Sequence, residues 1–348
     1  MSETKRSDMA TIEDVAREAN VSISTVSYAL SGKRRISDET RQRVLDAAER
    51  LGYAPRASAK ALAANRSDII AVTAPLHPDT DPTAHMAFAM EVTMSARTRD
   101  FDTLLLVHDD ALAGMKRSAA SALADGIIVL DVAAHDERAV LARTITCPTV
   151  FIGVPDDTEG LVCVDLDFEA AVRMAVDKLA EHGHKQLALI GQRTATLARE
   201  PNYPLRIERE FDRHCADRGV SGVIVHPDGD DAESAVATML AEQPGTTGIV
   251  LSTTNGVATS LPTALARRGL AVPHDISVVA AGMTPGPSRA PLPFDAMPLD
   301  PAFTCPVAVD ILVDLIDGGS PHRGVTLVPP IYQNRGTVAK ASVPPPTT

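Results

Sequence analysis

Between Ser22 and Tyr28, four short hydroxyls and one phenol crowd into seven residues: Ser22, Ser24, Thr25, Ser27 and Tyr28. Short hydroxyls allow close approach and hydrogen-bond phosphate oxygens and base edges, the chemistry of nucleic-acid recognition. The same pattern also suits the polar face of a three-helix protein-binding module, and spacing by itself leaves both readings open. Other chemistry-bearing residues are sparse. His182-Gly183-His184 is the one short motif with metal-binding residue types, but it falls where a helix should turn into a strand. Cys147, Cys163, Cys215 and Cys305 stand too far apart for a zinc knuckle or a disulfide framework; they fit a reducing cytoplasm and small core positions. No two glycines stand two apart, so there is no GxGxxG, and no Walker loop, GxSxG elbow or HExxH occurs. We therefore expect no catalytic centre, no metal and no cofactor.

Three short helices must carry the hydroxyl run. The first opens at Thr11, with Asp14 in capping-box position and Val15, Ala16 and Ala19 on one apolar face. Asn20, which tolerates the left-handed conformation, ends it. Ser22 caps the second helix, which turns Val26, Ala29 and Leu30 inward and stops near Gly32. Ser37 caps the third, with Asp38 and Glu39 complementing its dipole. Its expected buried stripe is Val44, Leu45, Ala48 and Leu51, and Gly52 ends it. A small residue at the helix crossing (Ala16) and a tight turn over residues 19–22 make this a helix-turn-helix pattern. The alanine-rich stretch 56–64 is too short to be a stable helix alone and reads as a linker that folds when held.

Charge is divided along the chain. The net charge is −12, yet residues 1–66 hold 12 Lys and Arg against 9 Asp and Glu, leaving 21 against 36 for the remainder. A basic head on an acidic body keeps DNA at one end. No apolar run approaches the roughly 20 residues of a membrane span, and the first twenty residues contain no secretory h-region. We expect a cytoplasmic protein with no membrane partner.

From Ser67 the texture changes to apolar runs alternating with helical stretches. Strands are expected at 69–74, 103–107, 126–130, 149–153, 187–191, 222–225, 248–252 and 276–280. Alternation with helices implies parallel βαβ units, and the strands are too many for one ordinary sheet domain. The expected fold class is α/β: an all-α helix-turn-helix headpiece at 9–55, a hinge at 56–66, and two doubly wound parallel-sheet lobes at 67–340. The tail from Ala339 is expected to be disordered. Asp165 and Asp167 are expected to cap the helix that follows them.

The words over 11–32 and 34–55 together resemble the DNA-binding headpiece of the lac-repressor (LacI/GalR) family. Residues 164–171, 179–191 and 329–337 sit where that family has similar words, so the resemblance covers most of the chain. It implies two lobes like those of a periplasmic solute receptor, a small-molecule effector (sugar-like or another metabolite) between them, and no enzymatic activity. It further implies a homodimer reading a pseudo-palindromic operator, most simply as a repressor. By position it assigns Ile23, Ser24 and Tyr28 to base reading, and Ser22, Thr25 and Ser27 to phosphates. Thr11, Ser37, Thr40, Tyr53 and Arg56 fall at further DNA contacts, Ala59 lies in the hinge helix, and Leu62 matches a wedge that kinks the minor groove. An apolar Ile23 in the reading pair favours a thymine methyl over bidentate readout. For the effector, the resemblance points to Arg206 and Asn255, and the scarce aromatics add Phe168 and Tyr203. Glu210, Gly256 and Met283 depart from the family's usual residues, which are glycine at the first position and acidic at the other two.

Overall fold

The computed structural model describes residues 10–31, 36–53, 66–75, 77, 82–107, 110–121, 123–285, 292–319 and 324–341. It divides into two compact units, one ending at Asp68 and taking in the turn at Asp125, the other holding the rest. The expected hinge, 56–66, lies outside the described residues apart from Arg66. Beyond it, the backbone N–H groups of Ser67 and Asp68 both donate to the Asp125 carboxylate at 2.7 Å.

Local signals delimit the three helices of the head. Helix α1 (Ile12–Glu18) starts in a full capping box: Asp14 N–H donates to Thr11 Oγ1 at 3.3 Å, and Thr11 N–H donates to Asp14 Oδ2 at 2.9 Å. Asn20 leaves it at φ 53°. Helix α2 (Ile23–Ser31) follows Ser22, whose Oγ accepts from Thr25 N–H at 3.1 Å. Helix α3 (Asp38–Arg50) is capped by Ser37, and Gly52 follows at φ 60°. Val15, Ala16, Ala19, Val26, Ala29, Val44, Ala47 and Ala48 close the core. Two expected core residues do not join it. Leu45 is 40% and Leu51 37% exposed, because the inward phase of α3 runs through 44, 47 and 48 and Leu51 already stands at the C-cap.

The body holds two parallel sheets. In the first lobe, β1 (Ile69–Thr73), β2 (Asp102–Leu106), β3 (Gly126–Val129), β4 (Thr149–Ile152), β5 (Val162–Leu166) and β11 (Gly324–Val328) lie in the order β11-β5-β4-β3-β1-β2. Helices α4 (Pro82–Arg97), α5 (Ala111–Ala120), α6 (Glu137–Ala142) and α12 (Pro301–Ile316) cover it. In the second lobe, β6 (Gln186–Ile190), β7 (Ser221–Val225), β8 (Gly248–Leu251), β9 (Ser277–Ala281) and β10 (Asp295–Met297) lie in the order β10-β9-β8-β6-β7. Its helices are α7 (Phe168–Glu181), α8 (Thr194–Leu197), α9 (Asn202–Arg218), α10 (Glu233–Glu242) and α11 (Asn255–Ala266). One core of this lobe packs α10 and α11 on one sheet face, and another packs α7 and α9 on the opposite face.

All eight expected strands are present, each shifted by no more than a residue at its start. Three more strands appear. Asp165 interrupts the apolar run of β5, β10 has only three residues, and β11 is an edge strand whose exposure alternates. The chain passes between lobes three times: after β5, after β10 and after β11. Helix α12 thereby returns to the first lobe, where Cys305, Val309 and Leu312 are buried against β3 and β4. Residues 339–341, expected in a disordered tail, are part of the second lobe. The Ala339 carbonyl lies 3.1 Å from His184 Nε2 and accepts from Ser277 Oγ, while Ala341 N–H donates to the His182 carbonyl.

Candidate functional site

On the head, the start of α2 presents the hydroxyl run. Ser22, Ile23 and Ser24 are exposed, Ile23 to 47%; Thr25, Ser27 and Tyr28 are half-buried. Ser22 Oγ lies 2.8 Å from both Ser24 Oγ and Thr25 Oγ1, a cluster of adjustable donors and acceptors. The first turn of α2 contains no acidic residue, so its positive dipole end is open to an anion. On α3, Ser37 Oγ donates to Thr40 Oγ1 at 2.8 Å. Tyr53 is half-buried against the head core, and Thr11 hydrogen-bonds Asp14, holding that carboxyl below its usual range. Ten of the thirteen expected DNA contacts therefore lie in one three-helix unit. Arg56, Ala59 and Leu62 fall outside the described residues.

In the body, a cavity of about 190 Å³ lies between the two lobes, at the C-terminal ends of both sheets' strands. Segments following β3, β4, β6, β8 and β9 line it, as expected for parallel sheets, where strand ends leave open crevices. One wall is aromatic: Phe168, buried, stacks on Tyr203 with ring centroids 5.4 Å apart. Gly282, at φ 67°, makes room for this stack; a Cβ there would stand 2.5 Å from the Phe168 ring. Met283, where the family has an acidic residue, contributes an apolar surface. Asn255 lines the cavity as the first residue of α11, behind the capping Thr254. Gly256 cannot be replaced freely: a side chain would meet the Asp230 carbonyl at 2.7 Å.

Arg206 is not on the cavity wall. It lies behind Phe168, its guanidinium carbon 5.6 Å from that ring's centroid, and donates to Asp165 at 2.8 Å and to Glu169 at 2.7 and 2.8 Å. Asp165 does not cap a helix. It is a buried strand residue on the cavity wall, held by Arg206, and burial outweighs that cation enough to push its carboxyl up to about 7. Asp167 does cap α7, accepting from Ala170 N–H at 2.8 Å. Glu210 pairs with Arg173 at 2.8 Å, a bridge that glycine could not supply.

Sequence reasoning missed the far side of the cavity. His85, Asp131, Gln192, Thr196, Arg199 and Thr253 line it, drawn from both lobes. Here the lobes clasp. Arg199 bridges to Asp131 at 3.0 Å, Ala134 N–H donates to the Glu200 carbonyl at 2.8 Å, and Asn202 N–H donates to the Val132 carbonyl at 3.1 Å. Asp131 and Glu200 stand at φ 54° and 51°, each at a cost of about 1–2 kcal/mol for a side-chain-bearing residue. The signal was faint, since these residues lie outside any periodic segment. His184, by contrast, is structural: Nδ1 lies 2.8 Å from Thr247 Oγ1, and burial lowers its pKa. Cys163, Cys215 and Cys305 are buried as expected, while Cys147 is half-exposed; burial pushes the thiols of Cys163 and Cys215 up to about 12.

Residues 11–56 match the family model described as bacterial regulatory proteins, lacI family. The head is that of the LacI family. In the body, residues 176–338 match the model of a periplasmic binding protein-like domain. The chain is 28% identical to catabolite control protein A of Priestia megaterium, over 77% of this chain and 81% of that one. It is also 28% identical to the HTH-type transcriptional regulator AglR of Rhizobium meliloti, over 77% of this chain and 76% of the relative. The lac repressor dimer bound to operator and an anti-inducer shares the fold, with TM-score 0.78, 22% identity, and 95% and 100% of the two chains covered. A complex of the regulator CelR with cellobiose superposes with TM-score 0.63, at 20% identity, over 94% and 99% of the chains. The chain, with its LacI-type head, is thus a DNA-binding transcriptional regulator, and the relatives it matches are regulators.

Proposed function

We propose that the protein is a transcriptional repressor that binds a pseudo-palindromic operator as a homodimer in the cytoplasm, and that a small-molecule effector between the lobes controls it. The observation that carries this reading is the exposed hydroxyl-rich start of α2 joined through one chain to a two-lobe body with a cavity. Ile23, Ser24 and Tyr28 read bases; Ser22, Thr25, Ser27, Ser37, Thr40, Thr11, Tyr53 and Arg56 position the backbone; Ala59 and Leu62 belong to a hinge that bends the duplex. Phe168, Tyr203 and Asn255 contact the effector, and Arg206 supports Phe168 from behind. An effector that prefers one lobe arrangement shifts the population toward it, and its differential affinity sets the size of the effect.

The face on which two copies meet is read from helix α4. Met86, Met90 and Met94 recur every fourth residue and are 41%, 55% and 56% exposed. Thr93 Oγ1 lies 3.0 Å from Thr103 Oγ1 of the edge strand β2, so the stripe continues into exposed Leu105 and Val107. A stripe of adaptable Met side chains beside an open strand edge is self-complementary about a two-fold axis, which suits a second copy of this chain. Gel shift with genomic fragments tests the main reading. The expected result is one or a few fragments retained at physiological salt; binding no better than to random DNA would overturn it.

A further inference from the structure

Two paired heads can measure the distance between half-sites only if each leaves its body from a fixed point. The last residues before β1 are Arg66, Ser67 and Asp68, and all three converge on one carboxylate. Ser67 N–H and Asp68 N–H donate to separate oxygens of Asp125, each at 2.7 Å, and Ser67 Oγ donates to the first of them at 3.0 Å. Arg66 Nε lies 3.0 Å from Asp68 Oδ1 and 3.9 Å from Asp125 Oδ2. Asp68 itself stands at φ 56°, a left-handed conformation that aspartate tolerates, so the chain turns sharply there before it enters the sheet.

Asp125 stands immediately before β3 as Asp68 stands immediately before β1, and the two strands pair from Ile70 with Gly126 onward. Their ladder starts beyond the clamp, so these bonds add to the sheet rather than form part of it. The Asp125 side chain is only 12% exposed, which keeps most water from competing for its oxygens. Hydrogen bonds to a carboxylate are about twice as strong as those between neutral groups. The chain that comes from the head is therefore held at residues 66–68, before the first strand begins.

Resting on the reading of this chain as a dimer on a pseudo-palindrome, we propose that Asp125 is a positioning residue for operator recognition: it pins residues 66–68 at the start of β3 and so sets the half-site spacing that the paired heads accept. It acts through the chain and not on the DNA. An extended chain spans at most about 3.3–3.6 Å per residue, so release of these three residues adds about 10 Å to the reach of each head. One base pair adds about 3.4 Å along the duplex. Freed heads therefore follow a half-site displaced by about two base pairs, which pinned heads do not. The same release dilutes the second head around its half-site, because effective concentration falls as a tether lengthens.

The test measures spacing preference with the full chain. The probe is a duplex that the wild type selects from a random-sequence library. It is remade with one or two base pairs inserted or removed at its centre, and also as an isolated half-site. Fluorescence anisotropy gives a Kd for each duplex. The wild type should lose about tenfold or more with each change of spacing. Asp125→Ala should bind the selected duplex about threefold or more weakly, yet lose less than about threefold between spacings, with its half-site affinity unchanged. Asp125→Asn keeps the shape and one acceptor. It should fall between the two, and it serves if the alanine variant fails to fold. A merely structural loss would lower binding to every duplex, the half-site included, and leave the ratio between spacings intact. That result, or a wild type indifferent to spacing, would overturn the inference. A wild type that selects no sequence would overturn the regulator reading and this inference with it, so the two failures are distinguishable.

Discussion

Ser22 serves two purposes with one oxygen. Its Oγ caps α2 and also stands in the exposed hydroxyl cluster. Ser22→Ala should lower the head's stability by about 1 kcal/mol, the usual cost of an N-cap, and weaken DNA binding across all sequences alike. Chemical denaturation and gel shift read the two losses separately. Arg206 makes the opposite kind of contribution, far from solvent. Arg206→Met leaves Asp165 and Glu169 facing each other without a cation, and removing one partner of a buried pair costs about 3–5 kcal/mol. The Asp165 carboxyl adds a pH signature. Its folded pKa, about 7, lies above the unfolded value, so the native state binds the extra proton. Its contribution to stability is complete at pH below about 4 and is lost as pH rises through about 7. Asp165→Asn should flatten that part of a stability–pH curve; an unchanged slope would show that Asp165 is not its source. The caps at Thr11, Ser22 and Ser37 were legible in the sequence because their partners lie three residues away. The Arg206 pair was not, because it joins residues 41 apart that only the fold brings together.

Strands and helices were legible where one physical pattern ruled. The eight long apolar strands showed themselves as continuous runs because both faces of each sheet are covered. Strand β5 hid because its fourth residue is the buried, paired Asp165, and β11 because an edge strand buries only one side. The placing of Phe168 and Tyr203 followed from the scarcity of aromatic residues, whereas the His85–Thr196–Thr253 wall carried no local pattern at all. Glycine at position 282 belongs to this scale. It ends β9 at positive φ and yields its side-chain space to the first residue of α7. Gly282→Ala should cost about 1–2 kcal/mol for the left-handed backbone alone, plus the displacement of a buried ring. The variant's melting temperature should fall, and the wall on which the proposed effector lies should tilt. If the crystal structure of the variant shows Phe168 unmoved, the close approach is not what holds glycine there.

At the scale of the whole molecule, the two-lobe plan followed from strand count and alternation, while the surface on which copies meet did not. Nothing in the periodicity of α4 says which exposed methionines face water for good. Met90→Lys with Met94→Glu should convert the proposed homodimer to a monomer in analytical ultracentrifugation and weaken operator binding by at least tenfold, since each head would then hold a half-site alone. A variant that stays dimeric places the interface elsewhere. The three passages between lobes have a last consequence, for the order in which the chain acquires structure during synthesis. By Met297 all five strands of the second lobe have been synthesised, yet the first lobe still lacks α12 and β11, and the second still lacks the segment that binds Asp295 through Arg335 and Thr337 and Ser277 through Ala339. Neither lobe is therefore complete until the segment after β11 has been made. A nascent or prematurely terminated chain offers proteases two unfinished lobes. Limited proteolysis of a chain ending at 300 should degrade both lobes faster than the same lobes of the full chain; equal resistance would show that the later segments are not what closes them.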